Sequence, residues 1–213
     1  MNIRKLWFIL ITIWVNFDAI SQTENPIETG DFLFLDLDCG PLCDAIESVT
    51  VGYEGNHFSH VGLVFKRNDS VFVLEAIGNS VRLTGLPAFL KYSFKPAYHA
   101  RLKKNYRSLI PKAILFSLSI LGYPYDDAFV YDNGKYYCSE LIYDAFKEAN
   151  GGKPFFKLQP MTYKKPGSEE FDPAWVSYFD KLGLEIPEGK PGCNPGGISL
   201  SEKIDVLGIF PGK

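Results

Sequence analysis

The chain has 213 residues, with 22 Lys and Arg against 25 Asp and Glu, for a formal net charge of −3. That length carries one domain with a full core, and a mildly acidic chain without a basic run gives no footing for nucleic acid. Aromatic residues make up 15%, which suits a compact core and an aromatic-lined cleft.

Arg4 and Lys5 precede an almost wholly apolar run, Leu6 to Val15, and Ala19-Ile20-Ser21 offers small residues at the two positions a signal peptidase reads. The expectation is a signal peptide over residues 1–21, cleaved before Gln22, and a single domain over 22–213 that is secreted or periplasmic. The apolar run is too short to span a bilayer comfortably, so no stable membrane span is expected in the mature chain. No Cys follows the run, so the bacterial kind of lipid attachment site is not expected either. Removal of Arg4, Lys5 and Asp18 takes the net charge to −4. The four cysteines are 39, 43, 138 and 193. Export permits disulfides, and Cys39 with Cys43 is the nearest pair, though spacing does not fix the connectivity.

Gly30 to Asp36 reads as a short apolar strand after a turn. Pro41 to Val49 reads as a short helix with Pro near its start. Phe58 to Phe65 and Val71 to Ile77, joined by the turn Lys66 to Ser70, form a predicted β-hairpin. A turn centred near Arg67 and Asn68 pairs positions whose numbers add to about 135, placing His60 opposite Glu75 on one face. A carboxylate beside an imidazole on a sheet holds one tautomer and stabilises the imidazolium, which is the base-and-orienter half of a nucleophilic triad.

Val81 to Leu83 and Ala97 to Leu102 read as further strands, and Ser108 to Leu121 as a helix capped by Ser108 and ended by Gly122. Tyr123 to Asp127 is a turn-rich loop. From Ser139 onward an amphipathic helix is predicted, with Leu141, Ile142, Ala145, Phe146 and Ala149 on one face and Asn150-Gly151-Gly152 as its stop. Cys138 therefore sits at a helix start, where unpaired backbone N–H groups and the helix dipole favour a thiolate. A free Cys more often just fills space, so the position alone does not make it a nucleophile. Farther on, Asp172 to Asp180 reads as a short helix with Pro173 in its first turn, and Leu184 to Pro187 and Ser199 to Phe210 as extended segments. Helices and an antiparallel sheet in this order make an α+β chain.

Several segments fall in a familiar series: Gly30-Asp-Phe-Leu-Phe34, Asp44-Ala-Ile46, Phe58-Ser-His-Val-Gly-Leu-Val64, Val73-Leu-Glu-Ala76, Gly122-Tyr-Pro-Tyr-Asp126 and Tyr137-Cys-Ser-Glu-Leu141. The series resembles the YiiX-like permuted papain-fold amidases, relatives of the NlpC-type cell-wall peptidases, and covers about residues 28–150. The resemblance implies a circularly permuted papain-like fold, with an antiparallel sheet or barrel packed against helices. It also implies Cys138 as nucleophile, His60 as general base and Glu75 as orienting third member, in a cysteine peptidase or amidase. No metal or organic cofactor is implied. The expected substrate is a small peptide, and the resemblance together with the expected location points to one derived from the cell wall. Tyr125 and Tyr137 flank the machinery, where a phenol can donate to an oxyanion, and Asp126 can contact a substrate amine or cap a turn. Residues after Gly152 are assigned nothing beyond walling the cleft.

Rival chemistries share these residues. The string Cys39, Cys43, His57 and His60 resembles zinc ligands, but its His pair is too close for the usual finger spacing, and an exported Cys pair oxidises more readily. His57 would face away from His60 if both lay on one strand. An apolar cleft would favour a lipid acyl hydrolase or acyltransferase related to lecithin retinol acyltransferase. A non-catalytic binding module would have no need of Cys138, His60 and Glu75 together. His99 has no partner in sequence and reads as a strand residue of no special role, and Trp175 and Tyr178 read as core packing.

Overall fold

The computed structural model describes residues 25–37 and 39–211, so the expected signal peptide lies outside the described residues. The fold is built around strand β1 (Phe32–Leu35), four consecutive apolar residues that are all fully buried. An unbroken apolar run is tolerated there because both faces of the sheet are covered. Phe32 and Phe34 join the larger core with Val61, Leu63, Leu74 and Phe146. Leu33 and Leu35 join a smaller one with Val64, Val73 and Phe89.

Around β1 are β2 (His60–Arg67), β3 (Ser70–Ile77), β4 (Ser80–Gly85), β5 (Tyr98–Leu102) and a late strand at Ile204–Ile209. They form one six-stranded sheet in the order β4-β3-β2-β1-β5 and then the late strand, with every neighbouring pair antiparallel. The sheet ends in two edge strands and stays open, so the α+β class holds while the alternative of a barrel does not. A separate two-stranded ribbon pairs β6 (Gln159–Pro160) with β7 (Pro191–Gly192), which makes the late strand β8.

The β2–β3 hairpin closes more tightly than the sequence suggests. Arg67 pairs with Ser70 and Leu63 with Leu74, so paired numbers add to 137 and not 135. Continued along the ladder, this register sets Glu75 opposite Gly62, two residues from His60. A shift of two keeps both side chains on one face, where diagonal neighbours remain within reach of long side chains. Gly62 fits this spot because a Cβ there would stand 2.3 Å from a Val73 methyl and 3.1 Å from the Phe89 ring.

Helix α1 (Pro41–Ser48) begins with proline, and the Cys39–Cys43 disulfide joins its start to the preceding residues. Helix α2 (Leu86–Phe89) covers the smaller core. The helix expected over 108–121 is α3 (Ile110–Ser119), preceded by a 3₁₀ turn over Lys104–Leu109. Pro111 sets its start, since a missing N–H costs nothing in the first turn, and Ser108 does not cap it. Helix α4 (Cys138–Ala149) packs against α3 on one side and β2 and β3 on the other. Helix α5 (Pro173–Leu182) is capped by Asp172, whose carboxylate accepts the Ala174 N–H, and is closed by Gly183 in the left-handed conformation. The stretch after Leu184 departs from expectation: Leu184 to Pro187 forms no strand, and Asn194 caps a short helix α6 (Pro195–Ser199) ahead of β8.

His99 is also more than a bland strand residue. Its Nε2 lies 2.7 Å from the buried Asp31 carboxylate, which accepts from the Arg101 guanidinium at 2.6 and 2.8 Å. Arg101 also donates to Glu28 and to the Pro26 carbonyl. Burial would raise the Asp31 carboxyl, but Arg101 and His99 outweigh it and hold it below its usual value. The cluster ties the chain before β1 to β5.

Candidate active site

Cys138 opens α4, and Tyr137 ahead of it is extended. The Leu141 N–H donates to the Tyr137 carbonyl at 3.1 Å, so the N–H groups of Cys138 and Ser139 stand ahead of that first helical bond. The apolar face of α4, with Leu141, Ile142, Ala145 and Phe146 fully buried, fixes this end against the sheet. Cys138 itself is 6% exposed, and its sulfur lies 4.0 Å from the Ser59 carbonyl. That contact places the thiol beside the first residue of β2, which is His60.

His60 is buried, and its Nε2 lies 2.7 Å from Glu75 Oε2. The ring nitrogen left for Cys138 is therefore Nδ1. Burial, the largest influence on His60, pushes its pKa down. Hydrogen bonding to Cys138 and Glu75, together with their negative charge, outweighs burial and raises it to about 9. Glu75 is fully buried and well held: Thr84 donates to Oε1 at 2.5 Å, Tyr92 at 3.2 Å, and the Arg82 guanidinium stands 3.6 Å away. Burial alone would raise Glu75, but His60, Thr84 and Arg82 keep it below the ordinary carboxylate value. Phe89 and Tyr92 wall the imidazole, with ring centroids at 5.7 and 6.5 Å.

A cleft of about 540 Å³ opens beside Cys138. Tyr125, Tyr137 and Ser139 line it near the thiol. Residues after Gly152 supply much of the remaining wall, including Phe155, Phe156, Met161, Tyr163, Trp175 and Cys193. Tyr125 is half-buried; burial first, and the charge of Cys138 second, push its hydroxyl well above the ordinary phenol value, so it stays protonated beside the sulfur. The Tyr137 hydroxyl accepts the Cys193 N–H at 3.2 Å and lies 3.9 Å from the Cys193 thiol, which ties the helix start to the segment before α6. Asp126 is fully buried, does not line the cleft, and accepts the Ala128 and Val130 N–H groups at 3.1 and 2.7 Å. It holds the turn.

The residues weighed as zinc ligands are held in other ways. Cys39 and Cys43 are joined to each other. His57 lies ahead of β2, exposed, with Nδ1 2.7 Å from the Glu47 carbonyl, and His60 is engaged with Glu75.

Glu140, in the first turn of α4, was not singled out in the sequence. It is 1% exposed; Oε1 accepts the Asp132 N–H at 2.9 Å, and Oε2 has no partner among the described residues. Burial, with Asp144 and Asp126 adding to it against the Asp132 N–H, raises its carboxyl to about 8 from 4.5. Between those values the folded chain holds a proton that the unfolded chain has lost, so stability falls as pH rises through the window. Glu140→Gln is expected to be more stable than the native chain at pH 8, by about 2–4 kcal/mol, with the gain vanishing near pH 4. Urea unfolding at both pH values checks this, and an equal shift at the two would contradict it.

Comparison with known proteins gives the family. Residues 26–195 match the profile described as "permuted papain-like amidase enzyme, YaeF/YiiX, C92 family". The chain belongs to this family. It is 29% identical over 126 residues to the uncharacterized protein YiiX of Escherichia coli K12, a match covering 58% of this chain and 59% of that protein. The matched stretch thus spans about three-fifths of the curated relative. The crystal structure of yiiX from E. coli O157:H7, titled a metalloprotein, superposes with a TM-score of 0.68 over 85% of this chain and 97% of that one, at 21% identity. That likeness bears on the fold. The match to residue 195 carries the family through α5 to the first residue of α6, well beyond the stretch to residue 150 on which the sequence resemblance rests.

Proposed function

We propose that this chain is an exported cysteine amidase that cleaves peptide amides with Cys138, His60 and Glu75. The observation that carries the reading is the buried hydrogen bond between His60 Nε2 and Glu75, which leaves Nδ1 for the thiol. His60 takes the proton of the Cys138 thiol. The thiolate attacks the amide carbonyl. The N–H groups of Cys138 and Ser139 and the hydroxyl of Tyr125 hold the developing oxyanion. His60 then gives its proton to the leaving amine, and water activated by neutral His60 releases the acyl group. Tyr137 shapes the cleft by holding Cys193. Asp126 supports the Tyr125 loop and makes no substrate contact.

The metal that the name of the E. coli O157:H7 metalloprotein implies finds no donor set here: among the described residues no three His, Cys, Asp or Glu are grouped to hold one.

Cell-wall stem peptides are the proposed substrates, a reading that rests on family and expected export. A second reading has its own support, because Ile46, Val49, Phe155, Phe156, Met161 and Ile198 give the cleft an apolar wall. Such a wall suits an acyl chain. Purified muropeptides and a set of lipid acyl esters, each incubated with the native chain and Cys138→Ala, separate the two. Cys138-dependent release of new amino groups is the expected result. Ester cleavage without amine release would replace the peptide substrate by a lipid one.

A further inference from the structure

Two polar atoms in the cleft wall are buried and unanswered. Tyr163 is 1% exposed and Trp175 is 4% exposed, both line the cleft, and neither the Tyr163 hydroxyl nor the Trp175 indole N–H has a hydrogen-bond partner among the described residues. A buried donor without an acceptor is costly and uncommon in native proteins. The two rings pack edge to face with centroids 5.0 Å apart. Phe129 links them back toward the nucleophile, at 5.6 Å from Trp175 and 5.7 Å from Tyr137. Both rings therefore belong to one aromatic wall that starts beside Cys138. In an apolar pocket a few polar groups of this kind fix the orientation of a ligand.

We infer that Tyr163 and Trp175 form a second recognition point, which takes a neutral carbonyl oxygen of the substrate other than the one under attack. The inference rests on the cleft being the substrate site of Cys138. The ligand atom is an acceptor because indole offers only a donor. It is neutral because carboxylates stand near: Glu188 accepts the Tyr163 N–H at 2.9 Å, and Asp126 and Glu188 both act electrostatically on the Tyr163 hydroxyl. An anionic end group would be repelled, whereas an inner amide carbonyl would not. The substrate class is thus a chain with at least two amide carbonyls and apolar flanks, and a simple one-carbonyl amide or ester is a poor ligand.

The test reads binding, so that it stands apart from turnover. The sequence holds three tryptophans, at 7, 14 and 175. In the full chain carrying Trp7→Phe, Trp14→Phe and Cys138→Ala, fluorescence reports Trp175 alone. The probes are N-acetyl-leucyl-leucine amide, with an inner carbonyl, and an N-acetyl alkylamine of the same length without one. The dipeptide is expected to shift the Trp175 emission and bind about tenfold more tightly than the alkylamine. Adding Tyr163→Phe is expected to erase most of that preference while leaving the thermal midpoint unchanged or raised, since a hydroxyl without a partner is lost. Equal binding of the two probes, or a preference untouched by Tyr163→Phe with a lowered midpoint, would overturn the inference and make the hydroxyl a structural group. Preference for the dipeptide in a chain whose Cys138 form turns over no amide would keep the recognition point and remove the catalytic reading.

Discussion

Replacing His60 with alanine is expected to lower kcat on a cleaved amide by about 10⁴–10⁶, as much as Cys138→Ala and as much as both changes together. The expectation follows from the proposed division of labour. The sulfur can attack only after losing its proton, and the ring nitrogen left facing it is Nδ1 of an imidazole whose other nitrogen is held at 2.7 Å by Glu75. Groups that act as one unit do not contribute separately, so the second substitution finds little left to remove. The alanine left by His60→Ala would stand against Phe89 and Tyr92, so unfolding curves should accompany the kinetics. A folded His60→Ala chain within about tenfold of native activity would remove His60 as the base.

Glu75→Gln has the second-largest expected effect, a loss of about 10²–10⁴ in kcat/KM with a changed pH profile. Glutamine keeps the size and can still meet Thr84 and Tyr92. It can also present an N–H to Nε2, which puts the imidazole proton on Nδ1, where it blocks acceptance from the thiol. It removes the charge as well. With Glu75 in place, His60 is raised to about 9 from 6.5, so the alkaline fall in activity is expected near pH 9, and Glu75→Gln should move it to lower pH. Stability follows the same linkage: the contribution of charged His60 is complete below about pH 6.5 and is lost as pH rises through about 9. Glu75, held below its ordinary value, stabilises above 4.5 and loses its contribution as pH falls through its lower folded value. A variant whose alkaline limb stays where the native one lies would show that Glu75 does not act through His60.

The core of the site was legible because its signals are local. Helical spacing from Leu141 to Ala149 and the Asn-Gly-Gly stop placed Cys138 at a helix start, as α4 shows. The hairpin put His60 and Glu75 on one face because strand periodicity is two, so a tighter turn slid the partners without turning either side chain over. What stayed hidden depends on contacts far apart in the chain. Asp31 and His99 are 68 residues apart and meet because β1 and β5 are neighbours in the sheet, an order that no local pattern encodes. The open sheet likewise depends on the late arrival of β8 beside β5. Glu140 reads as an ordinary acidic residue in a first helical turn, favourable to the dipole, and only the packing of α4 reveals its burial. Residues after Gly152 carry few periodic signals, yet Phe155, Tyr163 and Trp175 complete the cleft.

The most direct test of a His60-activated Cys138 is alkylation by iodoacetamide without reductant, read by mass spectrometry from pH 5 to 8 on the native chain and on His60→Ala. The other thiols serve as internal controls. Cys39 and Cys43 are joined, and Cys193 is buried, with burial pushing its thiol far up. A single rapid modification on Cys138 already at pH 5, slowed by His60→Ala, is the expected result. Cys138 reacting no faster than Cys193, or at the same rate with and without His60, would contradict the activated nucleophile.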